Sequence, residues 1–289
     1  MSTTGETRPA FTLTVSCPDR MGIVADVTRF LFEHGCNIVD SSQFGDRGNG
    51  RFFLRVHFSS EDGAGLETLR RDFAPVIDKF AMDATFHDAA RKTRTLILVS
   101  RFGHCLVDLL YRQRIGALPI EVPLIVSNHR DFEDVAAAGG IPFRYMPVTP
   151  DNKTAQEAAL SEIVAEEKID LVVLARYMQV LSVEMCARMP GRIINIHHSF
   201  LPGFKGARPY HRAHERGVKL IGATAHYVTA DLDEGPIIEQ EVERVTHALS
   251  AEEFVAAGRD IESRVLARAV KWHAEHRILI NGKRTVVFT

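Results

Sequence analysis

Asn195 and His197 are the two residues of this chain whose types and spacing are best suited to chemistry. They lie in the segment R-I-I-N-I-H-H-S-F, where three β-branched isoleucines predict a buried strand. Because side chains alternate across a strand, both are expected on one face, with His198 on the other. An amide can donate to a developing oxyanion, and an imidazole can transfer a proton near neutral pH. The pair predicts acyl-type chemistry, although Asn195 could instead close a turn and His197 could be a packed histidine.

The segment after this strand is rich in turn-forming residues. Pro202, Gly203 and Gly206 predict a loop at the end of the strand. Open α/β sheets bind ligands where their strands run out into such loops, so we expect Asn195 and His197 to face a ligand there.

Asp233 is the third candidate, in the acidic turn T-A-D-L-D-E-G-P. A carboxylate that hydrogen-bonds an imidazole fixes its tautomer and supports its charged form. Spacing does not exclude Asp231 or Glu234 from this role. A metal-dependent hydrolase that uses His197, His198 and Asp233 as ligands is an alternative, but adjacent histidines on a strand point apart, so we predict no metal.

Composition narrows the class of protein. The chain has 289 residues, 45% hydrophobic and 25% charged, which predicts a soluble globular protein of about two domains. The net charge of -2 gives no polybasic footprint for nucleic acid or membrane. No apolar run approaches the ~20 residues that span a bilayer, and Met1 to Arg8 lacks the core of a signal peptide, so we expect a cytoplasmic location. The four cysteines do not have the spacing of a disulfide framework or of a metal site: Cys17, Cys36, Cys105 and Cys186.

Residues 9–88 carry the pattern of a small βαββαβ domain. Phe11, Leu13 and Val15 alternate with polar residues as in a strand buried on one face, and a helix is predicted from Gly22. Two further strands predict a hairpin, followed by a second helix and a last strand. Residues 1–8 are predicted to form a tail and 89–94 a linker.

Residues 95–289 carry a different pattern, which predicts a second domain. Continuous apolar runs alternate with helical segments, as in a largely parallel sheet covered on both faces. Its first loop, S-R-F-G-H-C at 100–105, holds one glycine and matches no nucleotide-binding motif.

Four sequence blocks give residues 95–289 a strong resemblance to the formyltransferase family that uses N10-formyl-tetrahydrofolate. The blocks are L-A-R-Y-M-Q-V-L-S, N-I-H-H-S-F-L-P-G-F-K-G, G-A-T-A-H-Y-V and D-L-D-E-G-P-I-I. The resemblance implies that Asn195, His197 and Asp233 are the catalytic trio, and it gives His226 a matching family position. It also implies a pterin-binding role for the backbone of two segments, Met178, Gln179, Val180, Leu181 and Thr229, Ala230, Asp231.

The chain departs from the purine-pathway members of that family at two places. The first loop lacks their glycine-rich phosphate cradle, and His198 stands where they carry proline. Phe102 and His104 could fill the acceptor space, or could be packing residues. Together with these departures, the resemblance implies hydrolysis of N10-formyl-tetrahydrofolate to formate and tetrahydrofolate, feeding one-carbon and purine metabolism, with folate as substrate and no cofactor. A formyltransferase acting on an amine remains the alternative.

The strand, the turn P-D-R-M-G-I-V and the segment G-C-N-I-V-D-S-S-Q-F give residues 9–88 a resemblance to ACT domains. These modules commonly pair with a second copy and bind an amino acid, which implies a homo-oligomer. Backbone N–H groups at a helix start can hold a carboxylate, so the candidate effector-binding residues are Asp19, Arg20, Met21 and Gly22. A purely structural turn, or a non-catalytic amino-acid sensor, is the alternative.

Overall fold

The computed structural model describes residues 8–201 and 209–289. They form two compact units, each described here by itself. The predicted loop at Pro202, Gly203 and Gly206 lies outside the described residues, as does most of the predicted N-terminal tail.

The first unit is a four-stranded antiparallel sheet with helices. Its elements are β1 (Ala10–Pro18), α1 (Ile23–Glu33), β2 (Cys36–Asp46), β3 (Arg51–Ser60), α2 (Leu66–Asp72), α3 (Ala74–Phe80) and β4 (Asp83–Asp88). The strand order is β2-β3-β1-β4, with every neighbouring pair antiparallel. Phe11, Leu13 and Val15 are buried as predicted, whereas Thr12, on the opposite face, is buried too. The predicted second helix is two short helices, because Pro75, in the first turn of α3, has no N–H to continue a helix.

The second unit is built around a mainly parallel sheet. Its elements are β5 (Thr93–Val99), α4 (His104–Arg114), β6 (Ile120–Glu121), β7 (Ile125–Ser127), α5 (Glu133–Ala138), β8 (Phe143–Tyr145), α6 (Lys153–Glu166), β9 (Leu171–Leu174), α7 (Val183–Arg188), β10 (Ile193–His197), α8 (Pro209–Glu215), β11 (Leu220–Tyr227), β12 (Ile237–Arg244) and α9 (Ala251–Ala274). The main path of the sheet runs β12-β11-β10-β9-β5-β7-β8. Strands β10, β9, β5, β7 and β8 are parallel, while β11 and β12 run antiparallel to their neighbours.

The order of these strands fixes where a ligand can bind. From β5 the chain moves outward through β7 and β8, then returns to place β9 and β10 on the other side of β5. The crevice at the carboxyl ends of β5 and β9 is therefore a topological switch point, the usual ligand site of such sheets. The apolar runs of β5 and β9 are buried throughout, as expected for strands covered on both faces.

The C-terminal residues form a hairpin, β13 (Ile278–Asn281) and β14 (Arg284–Val287). Glu275–Asn281 and Val286–Thr289 group with the first unit. There Leu279 and Phe288 pack on Phe53, which is fully buried. This differs from the sequence interpretation, which assigned all residues to 289 to the second domain. The physical reason is that Phe53 needs an apolar cover that only distant residues supply. None of the described helices has the length and apolar character needed to cross a membrane.

Candidate active site

Asn195 and His197 lie at the carboxyl end of β10, between β9 and β11. The neighbouring isoleucines 193, 194 and 196 are buried and anchor this strand in the sheet. His197 is buried as well, whereas Asn195 is partly exposed. Both line one cavity of about 300 Å³ at the end of the sheet. The strand therefore presents an amide and an imidazole to the same space.

Asp233 enters this cavity from the loop between β11 and β12. Its Oδ1 atom lies 3.3 Å from Nδ1 of His197. The hydrogen bond with His197 lowers the pKa of the Asp233 carboxyl, so the group is ionised at neutral pH. Its backbone has φ 58°, a left-handed conformation that aspartate tolerates better than most residues. Gly235 then brings the loop against β11, since a Cβ there would lie 1.7 Å from the carbonyl oxygen of Tyr227.

The contact with Asp233 fixes the state of His197. A carboxylate can only accept a hydrogen bond, so Nδ1 of His197 carries a proton, and in the neutral ring Nε2 holds the lone pair. Nε2 is buried, and within residues 8–201 and 209–289 no atom hydrogen-bonds to it. Among the described residues the ring thus offers a nitrogen without a hydrogen-bond partner, as a group that binds substrate or water would. His198 stacks on it, with ring centroids 5.1 Å apart.

Asp231 and Glu234, the other acidic candidates, are exposed. The carbonyl oxygen of Asp231 accepts a hydrogen bond from the hydroxyl of Thr229, which shapes the turn. Of the three carboxylates in this turn, Asp233 is the one in contact with His197.

His226, on β11, is a further polar residue of this site, and its role could not be inferred from the sequence. It is directly opposite Asn195 in the antiparallel pairing of β10 and β11. Its Nε2 atom lies 3.2 Å from Nδ2 of Asn195, and its Nδ1 atom lies 2.9 Å from the carbonyl oxygen of Tyr227. Burial lowers the pKa of His226. Only the strand pairing connects this histidine with Asn195, so no spacing within the sequence points to it.

Two backbone segments contribute to the cavity wall. They include every predicted substrate-binding residue, Met178, Gln179, Val180, Leu181, Thr229, Ala230 and Asp231. The first segment is held in place by hydrogen bonds from Met178 N to the Ser100 hydroxyl and from Ser182 N to Glu157. Ser182 also caps α7 by accepting from Met185 N. These contacts hold the segment in place at the cavity wall.

The matches to known families agree with this two-part architecture. A formyl transferase family model matches residues 93–270, and an ACT domain model matches residues 11–74. A formyltetrahydrofolate deformylase of Corynebacterium sp. (strain P-1) is 50% identical over 276 residues, 95% of this chain and 96% of that protein. The crystal structure of a formyltetrahydrofolate deformylase from Burkholderia mallei has a TM-score of 0.93 and 52% identity, over 97% of this chain and 100% of that one. The chain belongs to the formyltetrahydrofolate deformylase family. The resemblance and the fold class predicted from the sequence blocks are thereby confirmed.

Transferases match a smaller part of this deformylase-family chain. A glycinamide ribonucleotide transformylase from Symbiobacterium toebii is 34% identical with a TM-score of 0.64, over 69% of this chain and 95% of that one. The residues that line the cavity all lie within 93–270, the part of the chain that the formyl transferase family model matches.

The first loop of the second unit, residues 100–105, holds a single glycine, and that glycine packs against an aromatic ring. A Cβ on Gly103 would lie 2.1 Å from the ring of Phe132. Phe102 is partly exposed, and the guanidinium carbons of Arg176 and Arg259 lie 5.4 and 5.7 Å from its ring centroid. The loop is therefore occupied by aromatic and cationic side chains.

A buried polar cluster lies next to this loop. Glu262 accepts hydrogen bonds of 2.8 Å from His104 and from the hydroxyl of Tyr210, and it lies 3.4 Å from Nε of Arg176. His104, Cys105 and Glu262 form the only trio of potential metal ligands within 4.8 Å that the described part of the chain contains. Burial raises the pKa of the Cys105 thiol, and the Arg176 cation is adjacent, so this cluster is better suited to holding the fold than to a metal. The residues weighed as metal ligands from the sequence, His197, His198 and Asp233, are not such a trio.

The four predicted effector residues lie on the turn between β1 and α1. Asp19, Arg20, Met21 and Gly22 are all exposed. Gly22, with φ 97°, is the N-cap of α1 and makes no side-chain cap hydrogen bond. The backbone N–H of Asp19 donates to the carbonyl oxygen of Gly50, which holds the turn against the β2–β3 connection.

Proposed function

We propose that the chain hydrolyses N10-formyl-tetrahydrofolate to formate and tetrahydrofolate, with Asn195, His197 and Asp233 as the catalytic residues. The observation that carries this proposal is the arrangement of His197. Its Nδ1 faces the Asp233 carboxylate, and its Nε2, buried in the cavity wall beside Asn195, has no partner among the described residues. Family membership supplies the reaction, and this geometry supports the roles.

The first step is attack by water on the formyl carbon. Nε2 of His197 removes a proton from the water as its oxygen bonds to that carbon, and Asp233 stabilises the imidazolium that forms. The formyl oxygen gains negative charge, and an N–H of Asn195 donates to it. One proton, held by His197, is then available for the second step.

The second step breaks the bond between the formyl carbon and N10. His197 returns its proton to N10 as the tetrahedral intermediate collapses, which avoids expelling an unstable amide anion. The carbon leaves as formic acid, which ionises to formate, and N10 keeps the hydrogen of tetrahydrofolate. Atoms and charge balance with one water consumed, so the chemistry requires no cofactor.

We place the pterin against the backbone of Met178–Leu181 and Thr229–Asp231. Peptide N–H and C=O groups suit the alternating donors and acceptors of a pterin ring, and both segments face the cavity that contains the trio. The 100–105 loop holds one glycine and lacks the glycine-rich backbone of a phosphate nest, which supports water over a nucleotide amine as the nucleophile.

The first unit is proposed to regulate and assemble the enzyme without taking part in its chemistry. The exposed start of α1, with a glycine N-cap, is a surface on which an amino-acid carboxylate could bind. Strand β2 lies at the edge of the sheet and exposes Val39 and Phe44, as an edge that pairs with another copy would. We also propose a cytoplasmic location. All four cysteines are free, which suits a reducing compartment.

The deciding experiment is incubation of the purified protein with N10-formyl-tetrahydrofolate as sole substrate. We expect stoichiometric formate and tetrahydrofolate, unaffected by added glycinamide ribonucleotide. Formate that appears only with an amine present, or a formyl group recovered on that amine, would instead establish a formyltransferase. No reaction under either condition would support a non-catalytic sensor.

A further inference from the structure

His226 hydrogen-bonds two neighbouring groups in the proposed active site, and these contacts indicate a role beyond packing. The side chain is buried, and its two ring nitrogens face different groups. Nδ1 lies 2.9 Å from the carbonyl oxygen of Tyr227, and Nε2 lies 3.2 Å from Nδ2 of Asn195. Oδ1 of Asp233 is 3.8 Å from the same Nε2, beyond a hydrogen bond.

These contacts define the tautomer of the ring. A backbone carbonyl oxygen only accepts hydrogen bonds, so the proton of neutral His226 lies on Nδ1. Nε2 then has a lone pair and accepts a hydrogen bond from the amide of Asn195. Burial disfavours the charged ring, which keeps this lone pair available at neutral pH.

The tautomer in turn defines the orientation of the Asn195 amide. An amide can rotate to exchange its oxygen and nitrogen, and the two orientations have nearly the same shape. A lone pair on Nε2 attracts N–H and repels oxygen, so only the orientation with Nδ2 towards His226 is stable. One N–H of Asn195 is used in this bond, and the second N–H is left for the cavity.

We propose that His226 is a positioning residue that holds the Asn195 amide as a hydrogen-bond donor towards the formyl oxygen. It acts through Asn195 and touches no reacting atom. Without it, Asn195 can turn its carbonyl oxygen towards the same place, where it would repel the developing oxyanion. This role rests on the proposed function of Asn195.

The test compares two substitutions of His226. His226→Gln keeps an acceptor for Asn195 and a donor for the Tyr227 carbonyl, whereas His226→Leu keeps bulk but has neither. Because loss of a whole oxyanion donor costs roughly 10²- to 10³-fold, we expect His226→Leu to lower kcat by roughly 10- to 100-fold. KM should change less than about twofold, and His226→Gln should recover most of kcat. Equal kcat for both variants, or a loss confined to KM, would overturn the proposal.

A double-mutant cycle separates positioning from a general structural effect. If His226 acts through Asn195, then His226→Leu made in an Asn195→Ala enzyme should have little further effect on kcat. Full additivity of the two losses would show that His226 acts independently. Thermal midpoints of all variants should be measured, because a purely structural role predicts that kcat follows stability.

A spectroscopic measurement tests the tautomer without any turnover. In protein labelled with ¹⁵N at the histidine rings, the His226 resonances, assigned by their loss in His226→Gln, should show the proton on Nδ1. A proton on Nε2 would refute the proposal. If the unmodified protein released no formate, the proposed function would fail, while this measurement would still report on the contact of His226 with Asn195.

Discussion

Oδ1 of Asp233 lies 3.3 Å from Nδ1 of His197, and this contact joins two separate segments of the chain into one site. Asp233 reaches that position with a left-handed backbone, φ 58°. Non-glycine residues in this conformation cost of order 1 kcal/mol or more and persist where the surrounding structure requires them. The contact is thus the most specific geometric feature of the proposed active site, and it is the basis of the first two predictions.

Replacing Asn195 or His197 by alanine should abolish most turnover and leave folate binding nearly intact. Both side chains act on charge and protons that develop only in the transition state. We expect Asn195→Ala to lower kcat by roughly 10²- to 10³-fold and His197→Ala to lower it by roughly 10²- to 10⁴-fold. Formate release measures kcat, and titration with tetrahydrofolate measures binding. Near-normal turnover in either variant would refute the assignment.

Asp233→Asn should lower kcat by a similar factor without disturbing the loop. Asparagine tolerates a positive φ as well as aspartate does, so the variant removes the charge and keeps the backbone. Asp231→Asn is the matched control, because this residue is in the same turn but exposed. Steady-state formate release from both variants decides the point. If Asp231→Asn lost its activity and Asp233→Asn kept it, Asp231 and not Asp233 would be the catalytic carboxylate.

Glu262→Gln should destabilise the second unit strongly. Burial by itself raises the pKa of Glu262, but the hydrogen bond from His104 and the Arg176 cation outweigh it and lower that pKa. Removing the charge leaves Arg176 buried beside a neutral group, which typically costs about 3–5 kcal/mol. Urea unfolding at pH 7 measures this loss, and Asp260→Asn, an exposed position on the same helix, should change stability by less than about 0.5 kcal/mol.

The effect of Glu262→Gln should depend on pH in a defined direction. A carboxyl whose pKa is lowered in the folded protein stabilises the fold above its ordinary pKa of 4.5, and this stabilisation is lost as pH falls through the lowered value. The difference between the two proteins should therefore shrink as pH falls below 4.5. A difference that grew below that pH would contradict an ionised Glu262.

A small free amino acid should change activity by binding at the turn Asp19–Gly22. Such binding would bias an equilibrium between conformations, because the first unit contributes no residue to the proposed catalytic trio. Each of the twenty amino acids should be titrated against formate release and the thermal midpoint. Arg20→Ala should weaken the response, whereas Arg47→Ala, also exposed on the first unit, should not. A flat response to all twenty would leave the unit with an assembly role.

Val39→Asp should weaken self-association. Val39 is 63% exposed on β2, and a charge on an edge strand disfavours pairing with another copy. Val242→Asp is the control, since Val242 is an exposed apolar residue on β12, the edge strand of the other sheet. Sedimentation equilibrium gives the mass of each variant. An unmodified protein that sediments as a monomer would refute assembly through β2.

The sequence by itself determined the elements and most of the candidate site. Alternation at Phe11, Leu13 and Val15 and the continuous apolar runs of β5 and β9 distinguish the two sheets, because burial on one face or on both leaves different periodicities. The start of α9 also depends on residues close together in sequence. Ser250 and Glu253 exchange the two hydrogen bonds of a capping box there. Asn195 and His197 could be recognised as a pair from the sequence, because side chains two residues apart on a strand lie on the same face.

Only the tertiary structure decided which distant groups meet. Sequence spacing left Asp231, Asp233 and Glu234 equivalent, and the left-handed backbone at Asp233 and the close approach at Gly235 direct one of them to His197. His226 meets Asn195 through the register of β10 against β11, and Leu279 and Phe288 cover Phe53 from the far end of the chain. Strand register and long-range packing depend on contacts between segments far apart in sequence, so local periodicity carries no information about them.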